Sequence, residues 1–288
     1  MRAIFIDPQR ENAFTNDGYC VVDLLNASEL AEIQNNVKKY GYGIDNEEKF
    51  RKSIIHETSE RKREFFEKIL PIVKKPVNNF LLDYKIIQIT IFDKLQGGKG
   101  IKLHQHTSIV DESKYHSLST WIPLSETSVN IGTLHVIKGS HKIFTEIRSF
   151  EDYSAFDSVS EKAKKKFCTP LLLKVGEAVI FDDRLIHSSP PNKTAHIRTA
   201  IRLQLIPKEA NLEVHYRIND REMMKYAFDE NIYPETRVAV VDPASLTEIR
   251  KVSQPIQHYN TSKFISMLQS RHSGSANQKN NLLKRLFG

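Results

Sequence analysis

The stretch "LHQHTSIVDE" spans residues 103–112 and begins as a strand that passes into a loop, with His104 and His106 standing two apart. Side chains two apart on a strand point the same way, so both imidazoles can face one ion. Two imidazoles do not complete a metal site, and a further ligand has to come from another strand. "VIFDDRLIHSSPPN" (179–192) offers one, because His187 ends an apolar run just before a Ser-Ser-Pro-Pro turn. Eleven residues on, Arg198 opens the next strand. On an antiparallel strand beside that of His187, its guanidinium would lie near the metal and take a carboxylate end-on through two hydrogen bonds. A metal with a buried arginine beyond it suits a dicarboxylate, one end on the ion and the other on the arginine. 2-Oxoglutarate is such a molecule.

Outward from this stretch, the pattern is that of a β protein with helices at its start. "GYCVVDLL" (18–25) reads as a strand, and "NASELAEIQNNVKKY" as a helix with Leu30, Ile33 and Val37 on one side and Ser28 able to cap it. Residues 46–82 are helical in period, with Phe65, Phe66, Ile69 and Leu70 facing inward and Pro71 and Pro76 breaking or kinking the segment. From Lys85 the period changes to two: "KIIQITIFDK", "STWIPL", "GTLHVIKGSHK", "PLLLKVGEAVIFDD", "RTAIRLQLIP" and "LEVHYRI" follow. Many short strands after a helical start predict a mainly β fold, a jelly roll with N-terminal helices packed on one sheet. The expected organisation is one domain over 1–270: a helical part 14–82, a jelly-roll core of about 85–218 and a C-terminal extension 219–270 of no clear period. A polar, flexible tail 271–288 ends in the short basic "LLKRLFG".

The chain has 288 residues, 40% of them hydrophobic, enough for one large core. The net charge of +7 is mild, and its cations are dispersed among acids and along helices, which argues against a nucleic-acid partner. Two distant cysteines in apolar runs, no signal-like N-terminus and no long apolar run predict a soluble, cytoplasmic protein without a disulfide framework or membrane span.

Taken together, these motifs resemble the phytanoyl-CoA dioxygenase (PhyH) family of Fe(II)/2-oxoglutarate oxygenases. "NDGYCVVDLLNASEL" is similar to the family's opening strand and helix, and "LHQHTSIVDE" falls where the family has His-Gln-Asp. "GTLHVIKGSHK" resembles its Gly-x-Leu-x-Val-x-Pro-Gly-Ser-His signature, and "KVGEAVIFDDRLIHSSPPN" resembles the strand bearing the distal His, with Arg198 at the family spacing. The resemblance runs from about residue 14 to 207. It implies a double-stranded β-helix of the cupin type, with iron at His104 and His187 and the distal 2-oxoglutarate carboxylate at Arg198. It also implies cosubstrate contacts from Gln105, Trp121 and Ser189. The implied reaction consumes O2, decarboxylates 2-oxoglutarate to succinate and hydroxylates a small-molecule or carrier-bound substrate in a biosynthetic setting, in a monomer or homodimer.

The departure is His106, where the family carries Asp. Non-haem iron sites of this kind use two His and one carboxylate. Three readings stand: His106 ligates and the metal has three imidazoles; Asp111 loops back as the third ligand; or His106 points away. Two functional alternatives also stand, a three-His zinc hydrolase or lyase and a module that binds 2-oxoglutarate or metal without turnover. Asp111 and Glu112, and Asp182 and Asp183, read first as solvated or turn acids. His116, His196 and His215 read as surface residues.

Overall fold

The computed structural model describes residues 2–40, 47, 49–149, 151 and 155–270. The expected flexible tail, 271–288, lies outside the described residues. Helix α1 (Pro8–Asp17) and strand β1 (Tyr19–Asp23) open the chain. Helix α2 (Ala27–Lys39) is capped by Asn26 rather than Ser28: the Asn26 side chain accepts from the backbone of Glu29, and Glu29 returns the bond. A capping box satisfies two orphan donors at once, which a lone serine cannot do. After β2 (Phe50–Lys52) and the short α3 (Ser53–His56), helix α4 runs unbroken over Ser59–Asn78 with Pro71 and Pro76 inside it. A proline inside a helix costs about 3 kcal/mol. Here Phe65, Ile69, Val73 and Val77, spaced a turn apart, are all buried against the sheet and outweigh it.

The strands β3 (Tyr84–Lys94), β4 (Ile101–His104), β5 (Leu118–Pro123), β6 (His135–Val136), β7 (Thr169–Pro170), β8 (Glu177–Asp182), β9 (His187–Ser189) and β10 (Arg198–Pro207) form the core. They divide between a six-stranded sheet, β1-β8-β5-β10-β3-β2, and a four-stranded sheet, β4-β9-β6-β7, antiparallel throughout. Successive strands swap sheets almost one by one, which is the winding of a double-stranded β-helix. Period two then sorts side chains. Leu118, Ile122, Ala178, Ile180, Ile201 and Leu203 face α2 and α4 in one buried cluster. Trp121, Val179, Phe181 and Ala200 face the other way, with Leu134, Val136 and Leu171 of the opposite sheet. The inward set of β10 therefore also includes Arg198, Arg202 and Gln204.

Residues 219–270, left without a period in the sequence, hold regular elements. β11 (Glu213–Asn219), β12 (Glu222–Ala227) and β13 (Thr247–Ser253) make a three-stranded antiparallel sheet. A helix, α6, occupies 261–270 after α5 (Glu161–Phe167). Tyr259, Phe264 and Leu268 are buried with Phe144, Phe156 and Leu103, and the Tyr259 ring stacks on Phe156 at 5.2 Å. Cys20 and Cys168 are free thiols, and among the described residues no helix is long and apolar enough to cross a membrane.

Candidate metal centre

His104 ends β4 and His187 begins β9, and the two are directly paired across the ladder. The chain then leaves the strand, and the backbone N–H of His106 donates to the carbonyl of Asp183 at 2.9 Å. The three rings converge: His104 lies 4.1 Å and His106 4.6 Å from the His187 ring centre, and one nitrogen of each falls within 4.8 Å of the other two.

The outer nitrogens are all occupied. His104 Nδ1 lies 2.9 Å from the Lys102 carbonyl and His187 Nδ1 2.8 Å from that of Leu185. A carbonyl only accepts, so each Nδ1 carries the proton and each Nε2 is the unprotonated nitrogen. His106 Nδ1 lies 2.8 Å from the Asp183 carboxylate, and its Nε2 is 3.4 Å from the Arg202 guanidinium, which only donates. Burial pushes all three imidazoles toward the neutral form, aided by the His187 ring for His104 and His106 and by Arg202 for His187, which falls to about 4. Three buried, neutral imidazoles with inward Nε2 lone pairs have the donor set that a divalent transition ion takes.

The triad lines a cavity of about 330 Å³ that also contains Trp121, Ser189, Arg198 and Arg202. Arg198 reaches it from the six-stranded sheet, facing His187 across the barrel instead of pairing beside it, since β9 and β10 belong to different sheets. Its guanidinium is buried over the Trp121 ring at 5.6 Å and donates to the Gly132 carbonyl at 3.1 Å and Ser189 Oγ at 3.3 Å. Its Nε has no hydrogen-bond partner. Lys94, 0% exposed, donates to the same Ser189 hydroxyl at 2.7 Å; burial, then Arg198 beside it, pulls its ammonium down to about 6. A guanidinium and an amine that can take up a proton meet at one hydroxyl, neither bonded to a carboxylate, and together make a receptor for an anion. Gly132, at φ +76°, allows the approach: a Cβ there would lie 2.4 Å from the Pro190 carbonyl.

Gln105 lines the cavity, but its amide donates to the carbonyls of Phe144 (2.7 Å) and Arg184. Asp111 stays outside: its carboxylate accepts from Ser113 Oγ at 2.6 Å and pairs with Lys114, and these bonds, Ser113 first, pull it down to about 2. Asp182 and Asp183 are not solvated, although Asp183 opens the turn after β8. Both are buried, Asp182 against Arg184 and His116, Asp183 against His106, Ser119 and Gln204. His215 is buried too, its Nδ1 on the Ser108 carbonyl at 3.1 Å. Asp183 and Lys94 carry no site motif in the sequence. The signal for Lys94 is parity, since it continues the inward set Gln88, Thr90 and Phe92 of β3. Tyr233, Arg237, Gln254, Gln257 and Tyr259, all from beyond β11, complete the cavity wall.

Fold and cavity together define a jelly roll whose two sheets close on a histidine cluster at one end and buried cations at the other. The phytanoyl-CoA dioxygenase (PhyH) family model matches residues 14–200, and the chain belongs to that family of Fe(II)- and 2-oxoglutarate-dependent enzymes. The dioxygenase trt7 of Aspergillus terreus is 24% identical over 132 residues; the match spans 43% of this chain and 42% of that protein, so the chain spans less than half of its length. Among solved structures, the epimerase SnoN in complex with Fe3+, alpha ketoglutarate and nogalamycin RO superposes with a TM-score of 0.52 at 14% identity, over 71% of this chain and 84% of that one. HygX from Streptomyces hygroscopicus with nickel, 2-oxoglutarate and hygromycin B bound gives 0.51 at 13% identity, over 71% and 88%. At these identities the likeness is one of fold.

Proposed function

We propose that the chain is an Fe(II)/2-oxoglutarate-dependent oxygenase acting on a small molecule or a carrier-bound intermediate, with hydroxylation as its outcome. The observation that carries this reading is the cavity itself: three inward Nε2 atoms at one end and an unpaired buried guanidinium at the other. His104, His106 and His187 would hold the metal, which when bound supplies the activation of O2 coupled to decarboxylation of 2-oxoglutarate to succinate. Arg198 takes the distal carboxylate, with Ser189 accepting from Lys94 and Arg198 and so fixing where that carboxylate lies. Trp121 floors the cosubstrate channel and excludes water from it. Gln105 braces the loop between the first two histidines through its bonds to two carbonyls. The substrate enters beside the wall built by Tyr233, Arg237 and Tyr259. Arg237 and Glu146 both stand on that wall, beside Arg148, which is paired with Glu112.

The domain reading follows the same logic. We take residues 1–270 as one unit, because the extension both packs on the barrel and walls its cavity. The test is metal analysis of anaerobically purified protein, followed by 2-oxoglutarate-dependent succinate release with Fe(II). Iron binding with a 2-oxoglutarate complex supports the reading. Zinc bound tightly with no affinity for 2-oxoglutarate would replace it with the hydrolase.

A further inference from the structure

Asp183, directly behind the His106 ring, is a buried acid that the proposed function leaves unused. It is 0% exposed. Its donors are neutral: Ser119 Oγ at 2.8 Å, the Gln204 amide, and the Nδ1–H of His106 at 2.8 Å. No guanidinium or ammonium nitrogen of the described residues lies within ion-pair distance of it; its only such contact is that imidazole. A buried carboxylate with only neutral donors is expensive to keep ionised unless a cation comes close. Two cationic places lie within its electrostatic reach: the buried Arg202 guanidinium, which makes no ion pair with it, and the point where the three Nε2 atoms meet, on the far side of the His106 ring. Mononuclear iron sites of this type use two imidazoles and a carboxylate. Here the direct ligands are all neutral, and the carboxylate stands one imidazole further out.

We propose that Asp183 is a positioning residue for the metal: it fixes His106 in the Nδ1–H tautomer, presenting Nε2 inward, and returns through the imidazole the negative charge that the three neutral ligands lack. The inference rests on the metal reading given above. It makes His106 and Asp183 one unit, with Ser119 and Gln204 holding the carboxylate in plane and the Asp183 carbonyl holding the His106 backbone at 2.9 Å. Removing such an outer partner typically lowers metal affinity roughly 10- to 100-fold.

The experiment titrates Ni(II) and Co(II) into the full chain by calorimetry and records the Co(II) visible spectrum. Asp183→Asn, folded to the same melting temperature as the parent without metal, should bind both ions roughly 10- to 100-fold more weakly and shift the cobalt bands. Adding His106→Asp to it puts the carboxylate back at the ligand position and should restore affinity. A folded Asp183→Asn that binds metal like the parent overturns the proposal, and so does failure of His106→Asp to restore binding, which would tie Asp183 to Arg202 instead. Should Asp183→Asn not fold, nitrogen-15 spectra of the zinc-loaded parent decide. A His106 Nδ1–H far downfield with Nε2 on zinc supports the unit, and a protonated Nε2 overturns it. A parent that binds no metal at all would fail the oxygenase reading itself, a result distinct from any of these.

Discussion

Asp182 and Asp183 are adjacent, both buried, and both bonded to a histidine, yet they belong to different parts of the molecule. Asp182 ends β8 on the side of α1, where His116 packs edge-on against Phe14 at 6.3 Å. It is held there by His116 and by two bonds from Arg184, and these hold its carboxyl well below the usual range despite burial. Asp183 lies behind the His106 ring and is bonded by neutral donors, with Arg202 acting on it only at a distance, and burial pushes its carboxyl up. One acid has its counter-charge in a direct ion pair. The other has only a more distant guanidinium until a cation sits among the histidines. The strand end separates them: Asp182 is the last residue of β8, and Asp183 opens the turn that brings it to His106.

The largest effect is expected at the triad. His187→Ala should reduce Ni(II) affinity by more than the roughly 10- to 100-fold of an outer partner, with the fold intact by circular dichroism. Unchanged calorimetric titration would remove the cavity floor as the metal site and erase the contrast between the two aspartates. Next comes Asp182→Asn, which leaves Arg184 buried without its carboxylate and should destabilise the chain by about 3 kcal/mol or more in urea unfolding. Metal affinity of the folded protein should stay within twofold; a loss matching that of Asp183→Asn would make the two acids one network.

Arg198→Lys comes third. A point ammonium cannot make the two-pronged pair, so the requirement for 2-oxoglutarate should rise about tenfold, or about 1.4 kcal/mol. Trp121 is the sole tryptophan and lies under that guanidinium, so its fluorescence can follow the titration. Equal affinity in parent and variant would pass the carboxylate to Arg202. The smallest effect is a proton. With its ammonium pulled down to about 6, Lys94 is neutral in the folded protein at pH 8 and charged in the unfolded chain, so unfolding takes up a proton. Stability from this group therefore rises as pH climbs from about 6 toward 10.4 and is lost on the way down. A 2-oxoglutarate carboxylate arriving at Ser189 should recharge Lys94, giving uptake of up to about one proton at pH 8, measured in buffers of different ionisation enthalpy. Lys94→Met should abolish that uptake; its persistence would assign the proton elsewhere.

Much of this was legible from local pattern. β10 was readable to the residue, 198–207, because an uninterrupted period-two run followed a Pro-rich turn. His104, His106 and His187 were legible from spacing and their place at strand ends. What escaped was set by contacts distant in sequence. "FDD" before a turn looks solvated until β5 and β10 supply Ser119 and Gln204 around it. Arg198 was expected beside His187 in one ladder, whereas the winding puts it across the barrel. The prolines of α4 were read by local rules that the packed face of the helix overrides. Of the strands in 213–253, β11 was read as "LEVHYRI", while β12 and β13 escaped: they pair with β11 and with each other, and the exposed β13 carries little apolar rhythm of its own.

The cavity draws its chemistry and its enclosure from different lengths of chain. The histidines and Arg198 fall within residues 14–200, the span shared with the family, while Tyr233, Arg237, Gln254 and Tyr259 come from beyond it. Changes of sequence in 219–270 can therefore reshape what the enzyme admits without touching the atoms that react. For an engineer this is a replaceable wall, and libraries confined to its inward side chains can vary selectivity over a constant reactive centre.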